Sequence, residues 1–166
     1  MGIMPELPEV ETVRRGLKPF MLNKKIIQVI PEPGKGFYGS VTEVDGATVV
    51  DIRRKGKALL VDLDNGNTLM IHLRMTGQLI WRGKNAKVGQ VDDAEQFAAG
   101  HPSKNFTSEL PNKQTRVTFV FAEGKLFFND QRKFGFVKVL PTAEVESDKF
   151  IAELGKEPWD MSSDEL

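Results

Sequence analysis

The sequence predicts a mainly β protein with flanking helices: a two-layer antiparallel β-sandwich with an N-terminal α-helix and a helix near the C-terminus. Three observations carry that reading. Val10, Val13, Leu17, Phe20 and Met21 recur at helical spacing near the start. The stretch after them breaks into short apolar or alternating runs separated by Gly, Pro and Asn-Gly signals. The element order is then helix, many sequential strands, helix, and antiparallel strands in sequence pack as a sandwich or barrel.

The first helix is expected over about 8–20, with Glu9, Glu11, Thr12, Arg14, Arg15 and Lys18 on its polar face. Pro8 suits the first turn, where its missing N–H removes no bond. Early glutamates and later arginines complement the helix dipole. "KKIIQVIPE" reads as a strand stopped by "PEPGKG". "ATVVDIRRK" and "KALLVDLDNG" read as a hairpin about Gly56, and Asn65-Gly66 signals the turn into "NTLMIHLRM". "GQLIWRG" follows Gly77. Residues 84–112 are polar and aperiodic and read as one long loop, a length that points to function or mobility. "QTRVTFVFAEGKLFFND" is a second hairpin turning at Glu123 and Gly124, and "FGFVKVL" is the last strand. "TAEVESDKFIAEL" has helical periodicity, with Thr142 as cap and Val145 where a capping box would place Glu. Residues 1–141 are read as the sandwich domain and 142–166 as a helix followed by an exit linker.

Composition bounds the chemistry. The chain has 166 residues, 40% apolar and 28% charged, which fits one globular domain. It has no cysteine, so disulfides and thiolate metal sites are excluded. His72 and His101 stand far apart, against a protein-only zinc site. No apolar run approaches the roughly 20 residues that span a bilayer, and the first 25 lack a secretory core. The expectation is a soluble intracellular chain. Net charge is zero, but eight acids and two lysines fall in 142–166, leaving 21 basic and 15 acidic residues in 1–141. A mildly basic body with an acidic tail is a weak nucleic-acid signal.

Four stretches can carry chemistry. In "MPELPEVETVRRGL", a proline at a free N-terminus would be a secondary amine with a pKa near ~7.7–8.0, able to attack an electrophilic sugar carbon and form an iminium. Glu6 beside it could protonate a departing ring oxygen; the plainer reading is that Pro5 and Pro8 set up a helix start. "RRKGKALL" places Lys57 where it could meet a phosphate, or forms a solvated, charge-blunted hairpin edge. In "IHLRMTGQL", His72 leaves the apolar face of Leu69, Ile71 and Leu73, and Met75 precedes a Thr-Gly turn, where it either enters a base stack or fills a core gap. In "NDQRKFGF", Arg132 and Phe134 flank Lys133 in a turn that could wedge a duplex open, or simply close the surface.

Taken together and in this order, these stretches resemble the formamidopyrimidine-DNA glycosylase family, bacterial base-excision repair enzymes that remove oxidised purines. "PELPEVETVRRGL" is similar to the family's N-terminal signature almost letter for letter. "HLRMTGQL" resembles its His-Leu-x-Met-[Ser/Thr]-Gly-x-Leu strand, and "NDQRKFG" its Asp-Pro-Arg-Arg-Phe-Gly turn, with Gln131 and Lys133 as departures. "LGKEPWD" resembles the family's Leu-Gly-Pro-Glu-Pro exit, with Lys156 in place of proline. The resemblance implies a bifunctional DNA glycosylase and AP lyase. It implies Pro5 as nucleophile, Glu6 as acid/base partner, Lys57 as an assisting phosphate contact and Glu9 as a support of the first helical turn. It implies that Met75, Arg132 and Phe134 fill the gap left by an extruded base and that His72 touches backbone phosphate. The partner implied is double-stranded DNA with oxidised bases, bound by a cytoplasmic, nucleoid-associated monomer. A related branch, the endonuclease VIII-like enzymes for oxidised pyrimidines, shares the Pro-Glu start, and a non-catalytic lesion-binding module is a further reading.

Two departures shape the expectation for this chain. Family members run on through a helix–two-turns–helix module and a four-cysteine zinc finger, so the sequence is read as an N-terminal domain, with no cofactor of its own. Met1, Gly2, Ile3 and Met4 precede Pro5. As written, its nitrogen is a tertiary amide, which cannot form an iminium. A start at Met4 or a cloning remnant is the expected origin of the extension, and the chain as written is expected to be inactive.

Overall fold

The computed structural model describes residues 7–33, 36–74, 76–84, 96–100, 106, 108–131 and 135–146, with side chains from Val10 onward. Helix α1 spans Leu7–Met21. Among the described residues ten strands follow: β1 Ile26–Pro31, β2 Phe37–Tyr38, β3 Val49–Lys55, β4 Ala58–Leu63, β5 Asn67–His72, β6 Gly77–Gly83, β7 Gln96–Gly100, β8 Thr115–Phe121, β9 Gly124–Asp130 and β10 Phe136–Pro141. They form two five-stranded sheets, ordered β1-β8-β9-β6-β7 and β2-β10-β5-β4-β3. All pairings are antiparallel except the two-residue parallel pairing of β2 with β10.

Period-2 alternation builds the core. Leu59, Val61, Leu63, Leu69, Ile71, Val137 and Val139 from one sheet meet Leu79, Trp81, Val117, Phe119, Phe121, Leu126 and Phe128 from the other. Helix α1 adds Val13, Leu17 and Met21 from its apolar stripe. Phe20 stacks on Trp81 at 5.7 Å, and Trp81 meets Phe121 edge-on at 5.1 Å. A second apolar cluster, Ala58, Leu60, Met70, Leu140 and Val145 with Phe136, covers the other face of the β4–β5–β10 region.

The structure departs from the sequence reading at four places. The expected loop over 84–112 contains strand β7, which pairs with β6 from Gln78↔Gly100 to Arg82↔Gln96. Its residues "QFAAG" carry no alternation; what places them is tertiary, with the Phe97 ring lying where a Cβ on Gly16 would sit. β2 was not expected either. Thr142 does not cap: its hydroxyl is bonded to that of Thr68 at 2.8 Å, and 142–144 form a single 3-10 turn with Pro141 at the N-cap position and the Val145 N–H donating to the Thr142 carbonyl at 3.2 Å. The remainder of the expected C-terminal helix lies outside the described residues. His72 is not turned to water. It alternates with Ile71 as expected, but the opposite face is itself covered, and it is 1% exposed.

Candidate nucleic-acid interface

Three connections cross from one sheet to the other, and two of them meet at one end. β5 leads through residues 73–76 into β6, and β9 leads through 131–135 into β10. Register places them side by side, because Phe136 pairs with His72 and Gly77 pairs with Asp130. The Leu59↔Ile71 pairing, carried two residues further, sets the β3–β4 turn at Gly56 and Lys57 at the same end. Helix α1 starts at that end as well: Lys18 meets Asp51 at 3.4 Å, whereas Glu11, nearer the helix start, meets Arg54 at 3.4 Å. Pro5 and Glu6 immediately precede this helix in sequence.

The basic run "RRKGK" divides cleanly. Arg53 donates twice to the Asp62 carboxylate, at 2.7 and 3.2 Å. Arg54 joins Glu11 and donates to the Gly56 carbonyl at 3.0 Å. Lys55 pairs with Glu146 at 2.8 Å. Among the described residues no carboxylate pairs with Lys57, so the ammonium at the hairpin tip is uncompensated among them. Glu11 anchors the helix start by also accepting from Arg14 at 2.5 and 3.0 Å and from Arg15 at 2.9 Å. The Arg14 hydrogen bonds, outweighing a desolvation that acts the other way, hold its carboxyl down to about 2.

Around His72 the geometry is specific. Its ring stacks on Phe136 at 6.0 Å, and its Nδ1 accepts the backbone N–H of Arg74 at 3.0 Å. That bond needs an unprotonated Nδ1. Arg74 stands in the left-handed region at φ 54°, and its guanidinium lies 5.7 Å over the Phe136 ring. Desolvation, followed by the charges of Arg74 and Lys57, lowers the His72 pKa to about 4. The imidazole is therefore neutral near pH 7 and braces the turn, while Lys57 and Arg74 supply the positive charge beside it.

Lys57 and His72 are thus brought to one end. Pro5, Glu6, Met75, Arg132 and Phe134 lie outside the described residues, as does the side chain of Glu9. The sequence reading missed Asp130, Thr76 and Gly135. Asp130 is fully buried at the end of β9; its carboxylate accepts from the Thr76 hydroxyl and from the Gly135 N–H at 2.5 Å. An Asp just before a Gly-containing turn is the signal that marks it. Among the described residues no group of three His, Asp or Glu could hold a metal, and no helix is long and apolar enough to cross a membrane. A chain without cysteine offers no thiolate to the four-cysteine zinc finger that the resemblance implies.

The sheet-switching connections, the basic hairpin tip and the helix start thus meet at one end of a two-sheet sandwich. The profile of the formamidopyrimidine-DNA glycosylase N-terminal domain matches residues 4–137, and the chain belongs to that family. The formamidopyrimidine-DNA glycosylase of Ruegeria sp. (strain TM1040) is 39% identical over 160 residues, covering 93% of this chain and 51% of the relative. That of Roseobacter denitrificans is 37% identical over the same length and coverage. The chain thus spans about half the length of the curated relatives it matches. The Lactococcus lactis enzyme in complex with abasic-site DNA superposes at TM-score 0.66 with 30% identity, over 86% of this chain and 46% of that one. The same enzyme bound to DNA containing an oxidised pyrimidine gives 0.67 and 31%, over 86% and 47%.

Proposed function

We propose that this chain forms the catalytic half of a DNA glycosylase and AP lyase that excises oxidised purines, 8-oxoguanine and formamidopyrimidines, from double-stranded DNA. The observation that carries the reading is the meeting of four elements at one end of the sandwich: the helix that follows Pro5 and Glu6, the Lys57 hairpin tip, and the two turns that hold Met75 and residues 132–134. An enzyme acting on a base must take it out of the stack and keep the hole filled. Met75, Arg132 and Phe134 fill it. Lys57, beside Arg74, takes a backbone phosphate, and His72 serves the phosphate contact by fixing the Arg74 turn. Glu9 supports the first helical turn.

The unacylated Pro5 nitrogen attacks C1′ of the damaged nucleotide. The glycosidic bond breaks and the base leaves with its electron pair and a proton. Glu6 protonates the ring oxygen as the sugar opens, leaving an iminium between Pro5 and C1′. The Glu6 carboxylate, having given up its proton, then takes one from C2′, and the electron pair expels the 3′-phosphate from C3′ and breaks the strand. The protein acts as a monomer in the cytoplasm on nucleoid DNA.

Borohydride trapping tests this, because hydride reduces the iminium to a stable amine. A protein beginning at Pro5 is expected to be captured covalently on 8-oxoguanine duplex, and one that keeps residues 1–4 is expected to bind without capture. Capture of both forms through another atom would refute Pro5 as nucleophile; specific lesion binding with no capture of either would leave the non-catalytic module as the function. The oxidised-pyrimidine complex of the Lactococcus lactis enzyme favours a second substrate class, so the lesion panel includes an oxidised pyrimidine.

A further inference from the structure

We infer that Asp130 is the positioning residue that sets the two gap-filling turns against each other, an inference that rests on the wedge reading above. Thr76 directly follows Met75, and Gly135 directly follows Phe134. One carboxylate holds both: one oxygen accepts the Thr76 hydroxyl and the other accepts the Gly135 N–H at 2.5 Å. The residue after each wedge is thereby tied to a single buried group.

Asp130 is itself fixed from three sides. Its N–H donates to the Gln114 carbonyl at 2.9 Å, and its own carbonyl accepts from Arg116 Nε at 2.9 Å. Arg116 is buried and donates onward to the Lys113 carbonyl at 3.0 Å. The register pair Gly77↔Asp130 completes the anchor. The glycines that flank the two connections pack tightly against neighbouring backbone. The Gly77 N–H donates to the Leu73 carbonyl at 2.8 Å, and a Cβ on Gly77 would lie 2.4 Å from that oxygen. A Cβ on Gly135 would lie 2.8 Å from the His72 carbonyl and 3.1 Å from the Asp130 carboxylate. Gly135 therefore packs against the end of β5 from which the first connection leaves, and the Asp130 carboxylate bonds to a residue of each connection.

The chemistry explains why an Asp fits. A carboxylate only accepts, so it can take a hydroxyl and an amide N–H at once. An Asn in its place would turn an NH2 toward one of those donors and release that turn. A misplacement near 1 Å remote from the reacting atoms can cost as much as about 100-fold in rate. Side chains from two turns must enter one gap together, so their relative placement matters more than either alone.

The test uses the protein beginning at Pro5 with Thr76→Val, Thr76→Ser and Asp130→Asn. Thr76→Val removes one hydrogen bond at constant volume, and it stands as the decisive variant should Asp130→Asn not fold. Three readouts are taken: excision of 8-oxoguanine from duplex, fluorescence of 2-aminopurine opposite the lesion as a report of unstacking, and trapping at a preformed abasic site in a single strand, where no stack is opened. Thr76→Val and Asp130→Asn are expected to lower duplex excision about tenfold or more and to delay the unstacking signal, with single-strand trapping held within about twofold. Thr76→Ser, which keeps the hydroxyl, is expected to excise as the parent does. Parent-like duplex excision by folded Thr76→Val would overturn the inference, and so would equal losses on duplex and single strand, the mark of a role in folding alone. Met75→Ala and Phe134→Ala separate the two readings. If they are impaired while Thr76→Val is not, only the Asp130 inference fails; if both excise normally, the wedge reading fails and takes the inference with it.

Discussion

Acidification should unfold this protein through His72 before its carboxylates titrate. The ring is 1% exposed, stacked on Phe136, and accepts the Arg74 N–H through Nδ1. In the folded chain its pKa is lowered from 6.5 to about 4, first by desolvation and then by the charges of Arg74 and Lys57. The sign follows from proton counting. Between 6.5 and about 4 the unfolded chain holds a proton on this ring that the folded chain does not, so stability falls as pH falls, by ~1.4 kcal/mol per pH unit and about 3 kcal/mol in all. That is a large share of the 5–15 kcal/mol typical of a domain. The perturbation is His72→Asn, which keeps an acceptor near the Arg74 N–H and cannot titrate. The assay is urea unfolding of both proteins at half-unit steps from pH 7.5 to 4.5, read by circular dichroism. The difference between them cancels every group they share. At pH 7.5 the variant should be the less stable, for lost stacking, and the gap should close by about 3 kcal/mol toward pH 4.5. A gap independent of pH would show that His72 titrates normally and that the ring does not brace the turn.

Three further outcomes are expected. Gly16→Ala should destabilise by about 1–3 kcal/mol in urea unfolding, although alanine favours a helix by ~1 kcal/mol, because the new Cβ would fall 2.1 Å from the Phe97 ring; a gain in stability would show that β7 does not pack on α1. Glu11→Gln should cost about 1–2 kcal/mol near neutral pH, allowing for the exposed Arg15 partner; this contribution, present above 4.5, should fade as pH falls toward about 2, a window below that of His72. Lys57→Ala should lower the slope of log affinity for duplex against log salt by about one, with no change in lesion preference, as titrations at several salt concentrations would show.

Most of the fold was legible where local pattern and burial agree. The Leu59, Val61, Leu63 and Phe119, Phe121 alternations, the Asn65-Gly66 turn and the Val13, Leu17, Met21 stripe all specify their elements locally. β7 was hidden because an edge strand of "QFAAG" is held by pairing with β6 and by one aromatic on a helix glycine, both remote in sequence. Thr142 looked like a cap because the sequence does not show that Thr68 lies across the sheet from it. The site was legible in part for the same reason. Lys57 was one of four equivalent cations in "RRKGK", and the structure selects it by pairing the other three with Asp62, Glu11 and Glu146. His72 was read as outward because alternation gives the face, whereas whether that face is wet depends on Phe136, Leu140 and Val145, far along the chain.

That selection also reconciles a chain of zero net charge with the polyanionic partner proposed for it. Net charge sets long-range attraction, but a contact is made by whichever cations lack an internal partner. Here acids are placed on the flanks: Asp51 on Lys18, Glu11 on Arg14, Arg15 and Arg54, Asp62 on Arg53, Glu146 on Lys55. Lys57 is left at the tip, beside an arginine turned over an aromatic ring. Opening a duplex there costs a few kcal/mol per unstacked step, which must be returned by contacts formed at once and in register. Loops that wander cannot do this, since ordering them on binding would consume the gain. The flanks of the two connections are fixed in the folded chain: the Arg74 N–H is held by a neutral imidazole, and Thr76 and Gly135 are tied to one buried carboxylate. The fold matters to the proposed function for that reason: the sandwich spends its own folding energy fixing Arg74, Thr76 and Gly135 before any partner arrives.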